Sequence, residues 1–152
     1  MNIEPLTPET AREYRKELTA FYYENVRSNA CHGHYTPEEA KAKIEGLIRH
    51  LEDRTGIAYG AFDHRQLIGF IWAYPHPFRE ENRMYINEIR VREDYRRQGI
   101  GTAFLNLVEQ KAKEMGIPAL YLHAEAANPE ALHFYEAYGY QKERIQFRKP
   151  VE

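Results

Sequence analysis

Seven consecutive residues, Arg96-Arg97-Gln98-Gly99-Ile100-Gly101-Thr102, carry the densest chemistry in the chain. Two glycines one residue apart let the backbone bend tightly and bring its N–H groups close to a ligand. A helix pattern starts at once behind them, and a helix N-terminus adds unpaired donors and partial positive charge. Two arginines supply forked donors that fit phosphate oxygens. Together these make an anion site. A Walker A loop needs a Lys after the last glycine, and none follows Gly101; a dinucleotide fingerprint needs a third glycine where Phe104 stands. The glycine pair alone leaves two readings open, an anion cradle and a plain strand-to-helix turn with solvated arginines. Elsewhere, Glu88, His123, Glu125 and Tyr135 are side chains able to move or hold a proton. Cys31-His32-Gly33-His34 resembles a fragment of a metal site, but a structural zinc site takes four ligands and no second cluster is evident, so no metal is expected and an ordinary loop is the other reading.

The elements that must position these groups follow from periodicity. Residues 2–6 read as a strand. Thr7-Pro8-Glu9 starts a helix running to about Val26, and Thr36-Pro37-Glu38-Glu39 starts a second with Ala40, Ile44, Leu47, Ile48 and Leu51 as its buried stripe. Residues 57–63 and 67–74 are aromatic and β-branched around the turn Asp63-His64-Arg65-Gln66, which predicts a hairpin, and a third strand covers 83–92. A helix over 101–115 presents Phe104, Leu105, Val108, Ala112 and Met115 on one face; a strand at 119–124, a helix opened by Asn128-Pro129-Glu130, and a last strand over 140–148 complete the chain. The order is β-α-α-β-β-β-α-β-α-β. It predicts a mixed α/β (α+β) fold with one central, mostly antiparallel sheet flanked by helices, and a single domain over residues 1–152.

Arg96-x-x-Gly99-x-Gly101 resembles the Arg/Gln-x-x-Gly-x-Gly/Ala signature of the GNAT superfamily of N-acetyltransferases. The family also has a strand ending in an apolar residue just upstream, as in Ile86-Asn87-Glu88-Ile89-Arg90-Val91. Some way beyond the signature it has an Asn, then a helix with Phe-Tyr, then Gly-Phe/Tyr, as in Asn128 and Phe134-Tyr135-Glu136-Ala137-Tyr138-Gly139-Tyr140. The resemblance spans nearly the whole chain and implies a GNAT-like domain. It implies that Arg96, Arg97, Gln98, Gly99, Ile100, Gly101 and Thr102 hold the pyrophosphate of acetyl-CoA. The backbone of Ile89, Arg90 and Val91 would lie along the pantetheine and acetyl carbonyl, with Asn128, Ala131 and Phe134 near the pantetheine arm and Tyr135 facing the thioester sulfur. Glu88 matches a position where many members carry a base; a paired or surface glutamate is the other reading, and His123 and Glu125 are alternatives.

The chemistry limits these roles. An amine nucleophile with a pKa of about 10 is almost wholly protonated at pH 7, so a base must take a proton, directly or through water. A thiol titrates near 8.5 and a phenol near 10, so thiolate can leave without a proton from Tyr135, whose loss slows rather than abolishes turnover; proton transfer from an ordinary phenol is uphill by about 2 kcal/mol. A core aromatic role suits Phe134 better than Tyr135, because a buried phenol needs a partner. The loop between the first two helices often borders the acceptor in the family, which makes Cys31-His34, Tyr22, Glu24, Tyr35, Tyr74 and His76 acceptor-side candidates. Phe78-Arg79-Glu80-Glu81-Asn82-Arg83 reads as a charged, solvated hairpin tip.

Bulk properties bound the rest. The 152 residues are 43% apolar with formal charge −2, enough for a core and with no long basic run, so nucleic acid is not an expected partner. Nor is a membrane: no signal-peptide pattern and no apolar run of the ~20 residues a span needs is present. One cysteine fits a reducing cytoplasm. The expected function is transfer of acetyl from acetyl-CoA to a primary amine of a small-molecule or peptide acceptor; the alternative is an acyl-CoA-binding sensor or partner module on the same fold. Transfer of a longer acyl group, or to a non-amine acceptor, is a further alternative. Homodimers are common in the family, though no stretch here specifies one.

Overall fold

A computed structural model describes residues 1–29 and 35–152, so the Cys31-His34 segment lies outside the described residues. β1 (Asn2–Pro5) leads into α1 (Pro8–Glu13), α2 (Arg15–Asn29) and α3 (Pro37–Glu52); β2 (Ile57–Asp63), β3 (Gln66–Pro75) and β4 (Arg83–Val91) follow, then α4 (Ile100–Glu114), β5 (Ala119–Tyr121) and α5 (Pro129–Ala137). The five strands form one sheet in chain order, antiparallel throughout except for the parallel pair β4–β5. This is the expected mixed sheet flanked by helices.

Local chemistry sets the helix starts. Thr7 and Thr36 accept from the N–H groups of Thr10 and Glu39 at 3.1 and 3.2 Å, each just before a proline in the first turn. Three helices rather than two precede β2. The first expected helix breaks at Tyr14, whose hydroxyl donates to the Arg65 carbonyl at 2.7 Å and whose ring packs on Phe62, and it resumes to Asn29, beyond the expected end near Val26. Apolar faces then divide across the sheet. Leu18, Phe21, Ile44, Leu47, Phe70 and Trp72 pack beneath α1–α3, while Ile68, Ile71, Met84, Ile86, Phe104, Leu105 and Val108 pack beneath α4.

Two expectations about the C-terminal third are corrected. β5 ends at Tyr121 instead of residue 124, and the strand expected over 140–148 does not form. The alternation of Ile145 and Phe147 suits a half-buried strand, but β5 offers an edge of three residues, too short to template it. Ile145 and Phe147 are 69% and 89% exposed. Side chains hold the segment instead. Arg83 makes a two-pronged bond to Glu143, both contacts at 2.7 Å, the Arg144 guanidinium lies 4.6 Å from the Phe78 ring centre, and Lys142 reaches Glu136 at 3.5 Å.

Candidate active site

The site grows from the way β4 loses a neighbour. It pairs with β3 along its length, but with β5 only from Arg83 to Tyr85. Beyond Tyr85 the two strands part, and among the described residues no strand ladder covers that edge of β4 from Ile86 to Val91. Ile89, Arg90 and Val91 thus lie on a stretch of β4 edge without a strand partner, and the chain from β5 leads on to α5.

This edge runs into the glycine turn. The chain leaves β4 through Arg92, whose N–H donates to the Ile68 carbonyl and whose guanidinium grips Asp94 at 2.7 and 2.9 Å. A 3-10 turn, Glu93–Tyr95, follows, pinned to the β2–β3 hairpin by the Tyr95 hydroxyl on the Asp63 carboxylate. Arg97 and Gly99 then take left-handed conformations, φ 63° and 82°. The coil they impose turns successive N–H groups toward one side, as anion-binding nests do. Gly99 caps α4 with no side-chain bond, so the N–H groups of Ile100, Gly101 and Thr102 at the first turn have no capping side chain. A methyl group at Gly99 would meet nothing within 4 Å, whereas one at Gly101 would come within 3.1 Å of the Phe134 ring, which seats α5 on the start of α4. The arginines divide their work. Arg96 is half-buried with Nε donating to the Val91 carbonyl at 3.1 Å, bracing the turn, while Arg97, Gln98 and Thr102 are exposed.

The next element after β5 is α5. Asn128 caps it, Oδ1 accepting from the Ala131 N–H at 3.2 Å, and Ala131, Phe134 and Tyr135 are all half-buried. Burial, and secondarily the charge of Glu88, pushes the Tyr135 phenol up to about 12. The charge of Glu88 on β4 thus bears on the Tyr135 phenol of α5.

On the sheet, a β-bulge decides what lies opposite. Pairing steps from Trp72 with Glu88 directly to Ala73 with Ile86, leaving Asn87 as the extra residue. The bulge lets the side chains of both Asn87 and Glu88 meet groups from the α1–α3 side. Asn87 donates to the Tyr74 hydroxyl at 3.0 Å, and Glu88, 8% exposed, is the one charged residue buried among the described residues. Tyr22 and Tyr35 share a hydroxyl bond of 3.0 Å, and Tyr22 is pushed upward by burial first, then by Tyr35, Glu88 and Tyr85. Tyr22 belongs to the apolar cluster beneath α1–α3, and Tyr35 and Tyr74 pack against it. Glu24 sits apart, 3.8 Å from Arg90, whose pKa is lowered mainly by burial. His76 is exposed at the rim with Nδ1 2.5 Å from the Tyr121 hydroxyl. His123 is exposed, 3.3 Å from the Tyr85 hydroxyl, and Glu125 is exposed with its backbone carbonyl accepting from Asn128. Tyr85, Asn87 and Tyr121 had no sequence signal marking them. Tyr85 and Tyr121 meet through the β4–β5 register and Asn87 is the residue a bulge sets apart, and neither strand pairing nor a bulge leaves a trace in composition. Among the described residues no three His, Cys, Asp or Glu side chains converge as metal ligands, and no helix is long and apolar enough to cross a membrane.

The arrangement can hold an anion at one end, lay an extended chain along a strand edge in the middle, and present a neutral phenol and a carboxylate at the other end. Comparisons with known proteins give the family of the fold. The profile of the Acetyltransferase (GNAT) family matches residues 12–140. Uncharacterized N-acetyltransferase YdgE of Bacillus subtilis (strain 168) is 24% identical over 152 residues, 98% of this chain and 97% of that one. An acetyl transferase from Pyrococcus furiosus superposes with TM-score 0.76 at 27% identity over 99% of each chain. An acetyltransferase from Clostridium acetobutylicum, solved with acetyl-CoA, superposes with TM-score 0.75 at 16% identity over 98% of this chain and 95% of that one. With the fold, the glycine turn and the family profile in agreement, the chain belongs to the GNAT family of acetyltransferases.

Proposed function

We propose that the chain acts as one catalytic domain over residues 1–152, in the cytoplasm, moving acetyl from acetyl-CoA directly to a primary amine. Three observations support this reading: the left-handed turn before α4, the edge of β4 without a strand partner that leads to it, and the charge of Glu88 bearing on Tyr135. The N–H groups of Gly99, Ile100, Gly101 and Thr102, with Arg97 and Gln98, take the pyrophosphate, and Arg96 holds the turn in shape. The backbone of Ile89, Arg90 and Val91 bonds the pantetheine amides, and α5 covers the arm through Asn128, Ala131 and Phe134. The acetyl-CoA bound in the Clostridium acetobutylicum protein supports the choice of donor.

In the reaction, the amine gives a proton to Glu88, directly or through water, and its nitrogen attacks the thioester carbon. The tetrahedral intermediate collapses, the C–S bond breaks, and sulfur leaves as thiolate while accepting a hydrogen bond from Tyr135; the proton still carried by the attacking nitrogen then passes through water to the thiolate, giving neutral amide and free CoA thiol. The test is incubation of the protein with acetyl-CoA and an amine panel, following free thiol and the mass of the acceptor. Stoichiometric thiol and acetylated amine are expected; acetyl-CoA binding with no thiol release across the panel overturns transfer in favour of a binding module.

A further inference from the structure

The acceptor side of the cleft has an unusual composition. Tyr74 on β3, Tyr85 on β4 and Tyr121 on β5 stand in sequence across the sheet, Tyr74 and Tyr85 with ring centres 5.6 Å apart at 81° and Tyr85 and Tyr121 at 4.9 Å. Tyr22 and Tyr35, ring centres 5.8 Å apart, come from the helical side. Glu88 is buried three residues beyond Tyr85 on β4, and its charge bears on Tyr22, Tyr85 and Tyr135. Burial pushes the phenols of Tyr22, Tyr85 and Tyr121 upward, so they remain neutral around pH 7. Outside, three guanidinium groups gather on Phe78: Arg79, Arg83 and Arg144, each within 4.8 Å of its ring centre. Arg83 also lies 5.7 Å from the Tyr121 ring centre.

Resting on the transferase reading above, we propose that this pocket is an aromatic box for a single protonated amine carried on an apolar body, and that it rejects polycations. The negative faces of tyrosine rings attract one ammonium, and one carboxylate compensates one charge. A second ammonium held among neutral phenols would be uncompensated, and near Phe78 the carboxylates of Glu81 and Glu143 are already taken by Arg83. Carbon next to the amine packs against the rings, which polyhydroxylated acceptors cannot match. Two sources carry this chemistry, a free arylalkyl monoamine and a peptide N-terminus with an apolar first residue.

The experiment compares kcat/KM, by thiol release, for 2-phenylethylamine, the peptide Leu-Ala-Gly-Ala, spermidine and kanamycin, with acetyl-CoA binding followed by calorimetry. At least one of the first two is expected to exceed both polycations by about tenfold or more. Turnover of the peptide identifies an N-terminus as the source, and turnover of phenylethylamine alone identifies a free amine. Tyr85→Leu is expected to raise acceptor KM about tenfold, and Tyr85→Phe, which keeps the ring, to leave it within about threefold, with acetyl-CoA affinity unchanged in both. If Tyr85→Leu fails to fold, Tyr121→Leu reads the same wall. Equal or better use of spermidine or kanamycin, or an unchanged KM in the leucine variant, overturns the proposal while leaving the transferase reading intact. Bound acetyl-CoA with no thiol released from any of the four overturns both.

Discussion

Replacing Tyr135 by Phe removes one oxygen and keeps the ring that packs 5.3 Å from Phe134 and 5.7 Å from Tyr140, centre to centre. The phenol stands at about 12. A CoA thiol titrates near 8.5, so moving the proton from Tyr135 to the departing thiolate is uphill by ~3.5 pH units, about 5 kcal/mol. An ordinary phenol would put that cost at about 2 kcal/mol; burial more than doubles it. The productive role left is a hydrogen bond to sulfur charge in the transition state, worth ~1.5–3 kcal/mol. Tyr135→Phe should therefore lower kcat by about 10- to 150-fold at saturating acetyl-CoA and acceptor, with little change in thermal melting. Because the phenol stays protonated well above neutrality, the wild-type and Phe enzymes should share the same pH-profile limbs below about pH 10. The assay is thiol release across pH 6–10 on both proteins. A loss of several thousandfold would make the phenol an obligate proton donor and refute the argument; an unchanged kcat would remove Tyr135 from the sulfur.

Other perturbations give equally direct readings. Gly99→Ala places a side chain on a residue at φ 82°, costing ~1 kcal/mol in left-handed strain and on the order of 2–4 °C in Tm; its methyl enters the open side of the turn, so calorimetry should show weaker acetyl-CoA binding as well. Glu88→Gln should lower kcat by ~10²–10⁴ while leaving acetyl-CoA affinity in place, measured by thiol release and calorimetry. Burial lowers the pKa of His50, so the unfolded chain binds its proton more readily; stability from this group is complete above the ordinary value near 6.5 and falls as pH drops below it, and His50→Phe should flatten the Tm profile between pH 7 and 5. Glu143→Ala removes the two-pronged partner of Arg83 and should speed proteolytic trimming of the segment after residue 140.

Much of the fold was legible because its punctuation is local. Thr7-Pro8, Thr36-Pro37 and Asn128-Pro129 each combine a capping oxygen with a proline that can only begin a helix, and all three starts stand where these pairs lie. The glycine turn was legible for the same reason: left-handed backbone, as at Gly99, favours a residue without a side chain. What could not be read depends on partners distant in the chain. Strict alternation along β4 would set Asn87 and Glu88 on opposite faces, and only the bulge against β3 overrides it. Arg96 and Arg97 read alike in the sequence, and only the fold shows that the Arg96 Nε donates to the Val91 carbonyl while Arg97 is exposed. Ile145 and Phe147 have strand spacing, but a strand also requires a neighbour, and the three residues of β5 do not supply one.

The parting of β4 from β5 has a consequence for traffic through the enzyme. In the proposed mode, a donor lying along Ile89, Arg90 and Val91 would be held there by amides, and at the turn by phosphates, that acetyl-CoA and spent CoA have in common. Binding energy shared by substrate and product cannot speed the chemical step, and it slows the exchange of one for the other. Free CoA should therefore compete with acetyl-CoA at comparable concentrations, leaving the acetyl group as the only part of the donor by which the cleft can tell a loaded carrier from an empty one. The rate of such an enzyme follows the ratio of the two carriers more closely than the amount of either.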